Sequence, residues 1–412
     1  MRTMTLSEEL TWRGFVNQTT LPSVKELDHR NFKSYFGVDP STDSMTVGNL
    51  AAAMMVKTFL RHGRSVTLLV GGATGMIGDP SGKDSERNLL NLDQVSRNKR
   101  AIVDQYHQLF GRRIRVVDNY AWFRDMGCLE FLRDVGKHFS LNPLLQRDYI
   151  ATRLDPNGSG MSYAEFSYTL IQGYDFYHLN KEYGIDLQLC GSDQWGNSLS
   201  GVELVRRKSG KEVHVYSAPL IVNRATGTKF GKSEDGAIWL AATKTSVYQF
   251  YQFWLNVDDE TVSDYLKIFT ELNRAEVAEV MTAFNRDKAV RLAQKTLAYE
   301  VTKLVHGRDR ADTVQRITAS LFGEEDFHAL GKREIAMLKA ELPVVRVGHH
   351  DSLPHMIVAA GLASSNSEAM RFIEVGAISV NGQKITNDST TFQRGNNLLR
   401  RGKNNFAIVE YK

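Results

Sequence analysis

Two lysines and a serine in a glycine-rich segment carry the first recognisable chemistry of this chain. Lys229, Lys232 and Ser233 lie in the stretch NRATGTKFGKSEDG, residues 223–236. Glycines on both sides predict a mobile cationic loop, which could close over a polyphosphate and neutralise the charge that develops on a leaving group. Loops of this composition are common and most are solvated turns, so the segment gains meaning only from the motifs that precede it.

A predicted helix at residues 163–180 carries the sharpest pattern. Tyr168, Gln172 and Asp175 are spaced i, i+4 and i+7, so they share one helical face, while apolar residues occupy the other faces. Such a stripe indicates either a solvated face, which is the commoner case, or a polar pocket. Tyrosine is unusual on a solvated face, which favours the pocket. A site of this kind would reject an analogue that lacks a phenol hydroxyl by roughly 10⁴–10⁵-fold, because its polar groups would be left unpaired.

The segment GGATGMIGDPSGK, residues 71–83, follows a predicted strand and invites a phosphate-loop interpretation. That interpretation fails, because Ile77 stands where the first glycine is needed and Asp84 follows Lys83. The dinucleotide-binding spacing GxGxxG is also absent from this segment, whose spaced glycines fall at 72, 75 and 78. The segment is therefore either a tight turn or the floor of a small-ligand site, with Asp79 facing an amine.

A run of hydroxyl and amide side chains, DPSTDSMTVGN at residues 39–49, leads into a predicted helix. Polar groups at a helix N-terminus form a ready anion site. They also form an ordinary helix cap, which is the commoner meaning of Ser, Thr or Asp at this place. Both interpretations remain open from the residues alone.

Composition favours an ordinary globular protein of a reducing compartment. The chain has 412 residues, 42% hydrophobic content and a net charge of only +4, so nucleic-acid binding would depend on local patches. Cys128 and Cys190 are the only cysteines and do not form a CxxC pair, and no HExxH metal motif occurs. We expect neither a signal peptide nor a membrane span, and hence a cytoplasmic protein.

Strand-like and helix-like segments alternate over the first two-thirds of the chain. The predicted strands are 33–38, 65–70, 185–190 and 213–222, and a helix is predicted at 47–62. This alternation predicts an α/β fold with a parallel sheet, whose ligand lies beyond the carboxyl ends of the strands. Each polar cluster described above falls near such an end.

The later part of the chain changes character. Residues from about 246 to 322 are helical in pattern and contain no proline, and residues 323–350 are mixed and charged. We predict four segments: a catalytic domain with an insertion at 1–225, the lysine loop with a helical domain at 226–335, a connector at 336–350, and a compact tail at 351–412.

Taken together, the motifs resemble bacterial-type tyrosyl-tRNA synthetases, which are class I enzymes of the HIGH/KMSKS type. The resemblance rests on five segments in the family's order: YFGVDPSTDSMTVGN, GGATGMIGDPSGK, EFSYTLIQGYDF, GSDQWGN and KFGKS. It covers nearly the whole chain and implies a Rossmann-like catalytic domain, a helical domain and a small α+β S4-type RNA-binding domain. The implied activity joins L-tyrosine to tRNA(Tyr) with ATP.

The resemblance also implies roles for individual residues. Tyr35 and Asp175 would hold the substrate phenol hydroxyl. The ammonium group would be held by Asp79, Tyr168 and Gln172, with Thr74 nearby. The substrate backbone and its activated carboxylate would lie against Gly37, Asp39 and Gln194. The nucleotide would contact Gly48, Gly191, Asp193 and Lys232, and the catalytic set would be Ser41, Thr46, Asn49, Lys229, Lys232 and Ser233.

One segment departs from the family pattern. Thr46-Val47-Gly48-Asn49 stands where the family has its HIGH-type tetrapeptide, and Ser41 stands where threonine is usual. Thr46 replaces an imidazole with a short hydroxyl, which would weaken the activation of ATP. An alternative function is therefore a repurposed paralogue that binds RNA and tyrosine but activates ATP poorly.

The tail resembles the S4 RNA-binding module through SNSEAMRFIEVGAISVNG, residues 365–382. Basic residues that could bind RNA phosphates are Arg371, Lys384, Arg394, Arg400, Arg401 and Lys403. The resemblance further implies a homodimer. ATP would bring Mg²⁺ with it, without a metal cage of protein residues and without a tightly bound cofactor.

Overall fold

The computed structural model of this chain describes residues 3–81, 89–222, 230–233, 236–348, 351–387 and 392–411, with the backbone alone described at 232 and 233. The chain divides into two compact units. One comprises Met1–Thr245 and Asn256–Leu297, and the other comprises Ser246–Leu255 and Ala298–Lys412.

The helices within the described residues follow in chain order. The first eleven are α1 (Leu6–Arg13), α2 (Glu26–His29), α3 (Val47–Arg61), α4 (Thr74–Ile77), α5 (Leu92–Phe110), α6 (Tyr120–Phe123), α7 (Cys128–Asp134), α8 (Leu141–Leu145), α9 (Asp148–Leu154), α10 (Tyr163–Tyr183) and α11 (Trp195–Ser209). The others are α12 (Val247–Leu255), α13 (Val262–Phe269), α14 (Arg274–Arg286), α15 (Leu292–His306), α16 (Arg308–Phe322), α17 (Lys332–Glu341), α18 (Leu353–Ala359) and α19 (Asn366–Glu374). Short 3₁₀ turns lie at Gly136–His138, Ser192–Gln194, Lys288–Val290 and Phe327–Ala329.

The strands are β1 (Gln18–Thr19), β2 (Lys33–Val38), β3 (Ser65–Val70), β4 (Arg115–Asp118), β5 (Leu187–Gly191), β6 (His214–Ala218), β7 (Lys232–Ser233), β8 (Gly236–Ala237), β9 (Val344–Val347), β10 (Ile378–Val380), β11 (Gln383–Ile385), β12 (Gly395–Arg401) and β13 (Asn405–Tyr411). In the described part of the first unit, six of them form a sheet in the order β1-β6-β5-β2-β3-β4. All neighbours in it are parallel except β1 and β6.

Helices cover both faces of this sheet. On one face α10 packs on α11, and Phe176 of α10 and Val205 of α11 share a core with Tyr35 and Leu69 of the sheet. On the other face Phe36 contacts Tyr106 of α5, with ring centroids 6.3 Å apart. Because side chains alternate along a strand, Tyr35 and Phe36 necessarily serve opposite faces. The predicted α/β class with a parallel sheet is confirmed.

The helix that carries the polar stripe has clear ends. Ser162 caps α10 by accepting from the Glu165 N–H (3.3 Å), and the Glu165 carboxylate accepts from the Ser162 N–H (3.4 Å). Gly184 ends it with φ 67°, a left-handed conformation that glycine adopts without a Cβ penalty. Glu165 also forms a buried ion pair with Arg153 of α9 at 2.7 Å, which fastens the insertion, residues 119–162 between β4 and α10, to this helix.

Strand ends agree with the sequence to different degrees. The strands predicted at 33–38 and 65–70 have those bounds in the structure. The predicted strands 185–190 and 213–222 are shifted to Leu187–Gly191 and shortened to His214–Ala218. The predicted helix 47–62 ends at Arg61. None of the helices in the described part of the chain combines the length and hydropathy needed to cross a bilayer.

The second unit contains a sheet in the order β11-β10-β12-β13-β9, as far as the structure describes it. Helices α18 and α19 pack on one face through Ile357 and Ile373. On the other face, Phe406 and Ile408 share a core with helical residues such as Leu321. Strand β9 lies within the segment 336–350 that we predicted as a connector, and it pairs in parallel with β13. The four-segment division itself stays a prediction.

A test of this shared core is Ile408→Ala. Ile408 is fully buried, so the truncation should lower the free energy of unfolding by about 2–5 kcal/mol, measured by chemical denaturation. The matched control is Val375→Ala in the same unit, where the side chain is 76% exposed and the change should stay below about 0.5 kcal/mol. An Ile408→Ala protein as stable as wild type would contradict the assignment of this residue to the core.

Candidate active site

A cavity of about 390 Å³ lies at the carboxyl edge of the central sheet, where β2, β3 and β5 end. All predicted tyrosine-site residues line it, and so do most of the predicted catalytic and nucleotide residues. These lining residues are Tyr35, Gly37, Asp39, Ser41, Thr46, Gly48, Asn49, Thr74, Asp79, Tyr168, Gln172, Asp175, Gly191, Asp193 and Gln194. The parallel sheet therefore brings together in space residues that lie up to about 160 positions apart in sequence.

One end of the cavity holds a buried carboxyl group. Asp175 is 2% exposed, and it accepts from the Asn119 side-chain N–H (3.1 Å) and the Trp122 indole N–H (3.0 Å). Burial raises the pKa of Asp175 to about 8, although both hydrogen bonds act to lower it. The stripe on α10 is thus a pocket wall, since Tyr168 is also buried.

Tyr35 completes this end. Its side chain is 1% exposed, and its hydroxyl has no hydrogen-bond partner among the described residues. Burial, followed by the nearby Asp175, raises the pKa of the Tyr35 phenol well above its usual value, so the hydroxyl stays protonated. A buried hydroxyl without a partner costs free energy, which a bound ligand with a polar group could recover.

The sequence did not single out Asn119 and Trp122, although both contact Asp175. Asn119 is fully buried, accepts from the Ala73 N–H (2.7 Å) and donates to Thr74 Oγ1 (3.0 Å) as well as to Asp175. The sequence position of Asn119 could have identified it, because it directly follows strand β4. Polar residues that follow parallel strands lie at the edge of the sheet where ligands bind. The strand Arg115–Asp118 itself was not predicted.

Asp39 and Asp79 are two of the three other carboxylates that line the cavity, the third being Asp193. Asp39 accepts from Thr74 Oγ1 (2.6 Å) and from the Tyr168 hydroxyl (2.8 Å). Asp79 accepts from the Gln194 side-chain N–H (2.6 Å) and the Ser81 N–H (2.9 Å). Burial raises the pKa of Asp79 despite these hydrogen bonds. A cation placed beside both groups would find negative charge in a poorly solvated environment.

Gln172, the third member of the α10 stripe, also faces this cavity. Its side-chain Oε1 is buried and has no hydrogen-bond partner in the described part of the chain. Because a carbonyl oxygen accepts, the atom is suited to an N–H donor of a ligand. The structure therefore brings Asp79, Tyr168 and Gln172 to one cavity, as the resemblance implied.

The opposite side of the cavity is the N-terminus of α3. Thr46 donates both its N–H and its hydroxyl to Asn49 Oδ1, each at 2.9 Å. Because both hydrogen bonds go to the side-chain oxygen of Asn49, the side-chain N–H₂ of Asn49 remains as a donor group at the helix N-terminus. Such a position favours an anion.

The segment that follows Lys229 lies on this helix N-terminus. Val47 donates its N–H to Ile238 O (3.0 Å), and Ile238 donates to Gly231 O (2.9 Å). Gly231 has φ 92°, and a Cβ there would overlap the Val47 side chain. Lys229 lies outside the described residues, and for Lys232 and Ser233 the structure gives only the backbone of β7, which pairs with β8. Their predicted roles stay predictions.

The basic residues of the tail lie in different surroundings. Arg371, Lys384, Arg394 and Lys403 are exposed, as phosphate-binding residues need to be. Arg401 donates to Leu362 O (2.7 Å) and its guanidinium lies over the Phe372 ring at 5.0 Å, so it contributes to packing. Arg400 is half-buried and donates to Gly402 O (2.8 Å).

The chain is similar to known proteins over nearly its whole length. A sequence model described as "tRNA synthetases class I (W and Y)" matches residues 27–323, and one described as "Tyrosine--tRNA ligase SYY-like C-terminal domain" matches residues 334–409. A tyrosine--tRNA ligase 2 of Bacillus cereus is 40% identical over 422 aligned residues, covering 99% of this chain and 100% of that protein. A tyrosine--tRNA ligase of Lactococcus lactis subsp. cremoris is 41% identical over 423 residues, with 99% and 100% coverage.

A solved structure is similar over most of the chain. The C-terminally truncated mitochondrial tyrosyl-tRNA synthetase of Aspergillus nidulans superposes with a TM-score of 0.69 at 31% identity, covering 78% of this chain and 95% of that one. The first sequence match, over more than half of the chain, defines a class I tRNA synthetase. Identity over the whole length is more specific: the chain belongs to the class I tyrosyl-tRNA synthetase family, which confirms the resemblance drawn from the five motifs.

The raised pKa of Asp175 predicts a pH-dependent effect of Asp175→Asn on stability. An unfolded aspartate ionises near pH 3.9, whereas folded Asp175 keeps its proton up to about pH 8. The wild type therefore loses stability as pH rises between these values, by at most about 1.4 kcal/mol per pH unit. Asparagine has no such titration, so the stability of Asp175→Asn relative to wild type should increase from pH 5 to pH 8, measured by urea denaturation.

The control for that series is Asp28→Asn. Hydrogen bonds from Ser7 and Thr5 outweigh burial and lower the pKa of Asp28, so its stabilising contribution is lost only as pH falls through the acidic range. Its effect on stability should be constant from pH 5 to pH 8. A flat difference for Asp175→Asn over the same range would show that Asp175 is not the buried, protonated group described above.

Proposed function

We propose that the protein is a tyrosine–tRNA ligase, which activates L-tyrosine with ATP and transfers the tyrosyl group to tRNA(Tyr). The observation that carries this proposal is the closed end of the cavity, where the unpartnered Tyr35 hydroxyl and the buried Asp175 carboxyl lie. A phenol can both donate and accept a hydrogen bond. Its hydroxyl could pair with both groups, whereas a phenyl ring would leave the Tyr35 hydroxyl unpaired and would add no hydrogen bond to those that Asp175 accepts from Asn119 and Trp122.

The substrate's amino group would lie toward the other carboxylates. Asp79 would bind the ammonium as an anion, Gln172 would accept through its unpartnered Oε1, and Tyr168 would accept through the oxygen whose proton it donates to Asp39. Thr74 donates to the Asp39 carboxylate and thereby holds that carboxylate in place. Gly37 would allow the close approach of the substrate backbone, and Gln194 would contact the carboxylate through its N–H₂.

The chemistry would proceed without a covalent bond to the protein. One oxygen of the tyrosine carboxylate would attack the α-phosphate of ATP in line, and the bond to the β-phosphate would break with pyrophosphate as the leaving group. A hydroxyl of the tRNA 3′-terminal ribose would then attack the tyrosyl carbonyl and release AMP. The protein's part is to position the reactants and to stabilise developing charge.

The nucleotide would occupy the side of the cavity near α3. Asp193 would bind the ribose, with Gly191 and Gly48 leaving room for close approach, since a Cβ at Gly191 would lie 2.6 Å from Asp193 Oδ1. Asn49 would donate to a phosphate, Ser41 would lie beside it, and Thr46 would act through Asn49. Lys229, Lys232 and Ser233 would stabilise the departing pyrophosphate.

Magnesium would arrive with ATP. The described residues contain no group of three or more His, Cys, Asp or Glu side chains that could hold a metal ion. The ATP phosphates would supply most of its ligands.

We also propose two macromolecular partners, tRNA and a second copy of this chain. The exposed basic residues Arg371, Lys384, Arg394 and Lys403 would bind tRNA phosphates, with lesser contributions from Arg400 and Arg401. Exposed apolar side chains in the insertion and at the start of α10, including Leu129 (83% exposed), Leu141 (60%) and Tyr163 (70%), support a homodimer in which a second copy covers them. We also propose a cytoplasmic location, in keeping with the cysteine usage.

The alternative, a repurposed paralogue with weak ATP activation, finds no support. It rested on Thr46 alone. Thr46 is engaged in holding Asn49, so its hydroxyl has a role that does not require an inactive enzyme.

The proposal is tested by tyrosine-dependent ATP–pyrophosphate exchange. The wild type should prefer tyrosine over phenylalanine by roughly 10⁴-fold in kcat/KM, because phenylalanine leaves the buried Tyr35 hydroxyl unpaired and offers Asp175 no polar group. Tyr35→Phe should reduce that preference by about tenfold. The matched control is Tyr216→Phe, which removes an equally buried hydroxyl that instead bonds Phe15 O at 3.0 Å, and it should keep the wild-type preference. Activation of phenylalanine within tenfold of tyrosine by the wild type would contradict the proposed function.

The role of Asn49 is tested by Asn49→Asp. Aspartate keeps an acceptor for the Thr46 N–H and suits a helix N-terminus, so the fold should be as stable as wild type. It has no donor for a phosphate, so adenylate formation in pre-steady-state kinetics should slow by roughly 10²–10³-fold while tyrosine affinity stays unchanged. An unchanged rate would remove Asn49 from the phosphate site.

A further inference from the structure

A chain of hydrogen bonds runs from the insertion to the cavity. Arg147, just before α9, donates from Nη1 to Thr169 Oγ1 of α10 (2.7 Å), and Thr169 donates its hydroxyl to Asn197 Oδ1 of α11. The Asn197 side-chain N–H₂ faces Gln194 Oε1 at 3.4 Å, and Gln194 donates to Asp79 Oδ2 at 2.6 Å. Thr169 and Asn197 are each 1% exposed, so water does not compete with the hydrogen bond between these two residues.

The donor and acceptor roles along this series of hydrogen bonds are fixed at the Arg147 end and at the Asp79 end. A guanidinium has N–H donors and no acceptor, so Thr169 Oγ1 must accept from Arg147 and must use its single hydrogen elsewhere. Thr169 donates that hydrogen to Asn197 Oδ1, which also accepts from the Tyr149 hydroxyl (3.0 Å). Asn197 is thereby held with its N–H₂ toward the cavity. At the far end, the ionised Asp79 can only accept.

A second branch ends on the same carboxylate. Asn197 donates to Ser81 Oγ at 3.0 Å, and its N–H₂ also lies 3.4 Å from Asp79 Oδ1. Although burial raises the pKa of Asp79, the Ser81 N–H and hydroxyl and the Gln194 side chain all act to lower it. Both branches therefore favour the ionised form of Asp79 and point donors at it.

We infer that Arg147 is a positioning residue for recognition of the substrate's amino group. Through Thr169 and Asn197 it sets the orientation of the Gln194 amide, and with it the position of Asp79. The inference rests on the proposed function, in which Asp79 binds the tyrosine ammonium. It assigns a task in the substrate site to a residue of the insertion that lies outside the lining of the cavity.

Without Arg147, Thr169 is no longer obliged to donate, and Asn197 Oδ1 would still face the Tyr149 hydroxyl, which can accept as well as donate. Thr169 could then accept from Asn197 rather than donate to it, and the Asn197 amide could turn its oxygen toward Gln194. Gln194 would in turn present its oxygen to Asp79, and two acceptors would face each other. The ammonium site would be disordered, while the phenol site at Tyr35 and Asp175 would keep its own partners, Asn119 and Trp122.

The experiment compares two ligands in titration calorimetry with the full-length protein. L-Tyrosine carries the ammonium group, and 3-(4-hydroxyphenyl)propanoate has the same phenol and carboxylate without it. Arg147→Met should weaken L-tyrosine about tenfold and leave the amine-free analogue within twofold of wild type. Arg147→Lys keeps a donor for Thr169 and should recover most of the tyrosine affinity. Thr169→Val, which breaks the next link with little change of volume, should repeat the Arg147→Met result.

The matched control is Ser200→Ala. Ser200 Oγ accepts from Nη2 of the same guanidinium at 2.6 Å and is 3% exposed, but it does not lead to Asn197. Ser200→Ala should therefore leave the affinities for both ligands unchanged. Equal weakening of the two ligands by Arg147→Met and Thr169→Val, or no weakening of either, would overturn the inference. If the wild type binds both ligands equally, the proposed ammonium role of Asp79 fails, and the inference fails with it.

Discussion

The buried carboxyl of Asp175 is the constraint on which the site depends. Burying a carboxyl group in an apolar core is costly unless partners surround it, and the chain supplies two N–H donors from the segment after β4. Those donors require β4 to lie next to β3 and α10 to cross the sheet face above them. The pKa of about 8 shows that the donors offset only part of the cost of burial. A ligand hydroxyl placed beside this carboxyl would offset more of it.

Sequence reasoning succeeded where one residue pattern decides one structure. Strands β2 and β3 are short apolar runs bounded by turn residues, and their ends were predicted correctly. The two interpretations of the α10 stripe could not be separated in sequence, because a polar face looks the same in solvent and in a pocket. Burial of Tyr168 and Asp175 decides it. The strand at Arg115–Asp118 is too short and too polar to be recognised alone, so Asn119 and Trp122 were missed with it.

The polar network around the cavity lay beyond prediction for a different reason. The bonds that link Arg147, Thr169 and Asn197 connect three elements whose relative placement depends on tertiary packing. No periodicity encodes such contacts. The family resemblance located Gln194 and Asp79, but it gave no account of what holds them. Thr46 departs from the family pattern in the sequence. In the structure, the Thr46 hydroxyl donates a hydrogen bond to Asn49.

We propose that Tyr35 and Asp175 receive the phenol hydroxyl of tyrosine. This proposal is tested most directly by a crystal structure of the protein with L-tyrosine bound. The account predicts the phenol oxygen within about 2.6–3.2 Å of both the Tyr35 hydroxyl and an Asp175 carboxylate oxygen, with the ammonium beside Asp79. A tyrosine bound in the reverse direction, with its phenol at Asp79, or one that leaves the Tyr35 hydroxyl without a partner, would contradict it.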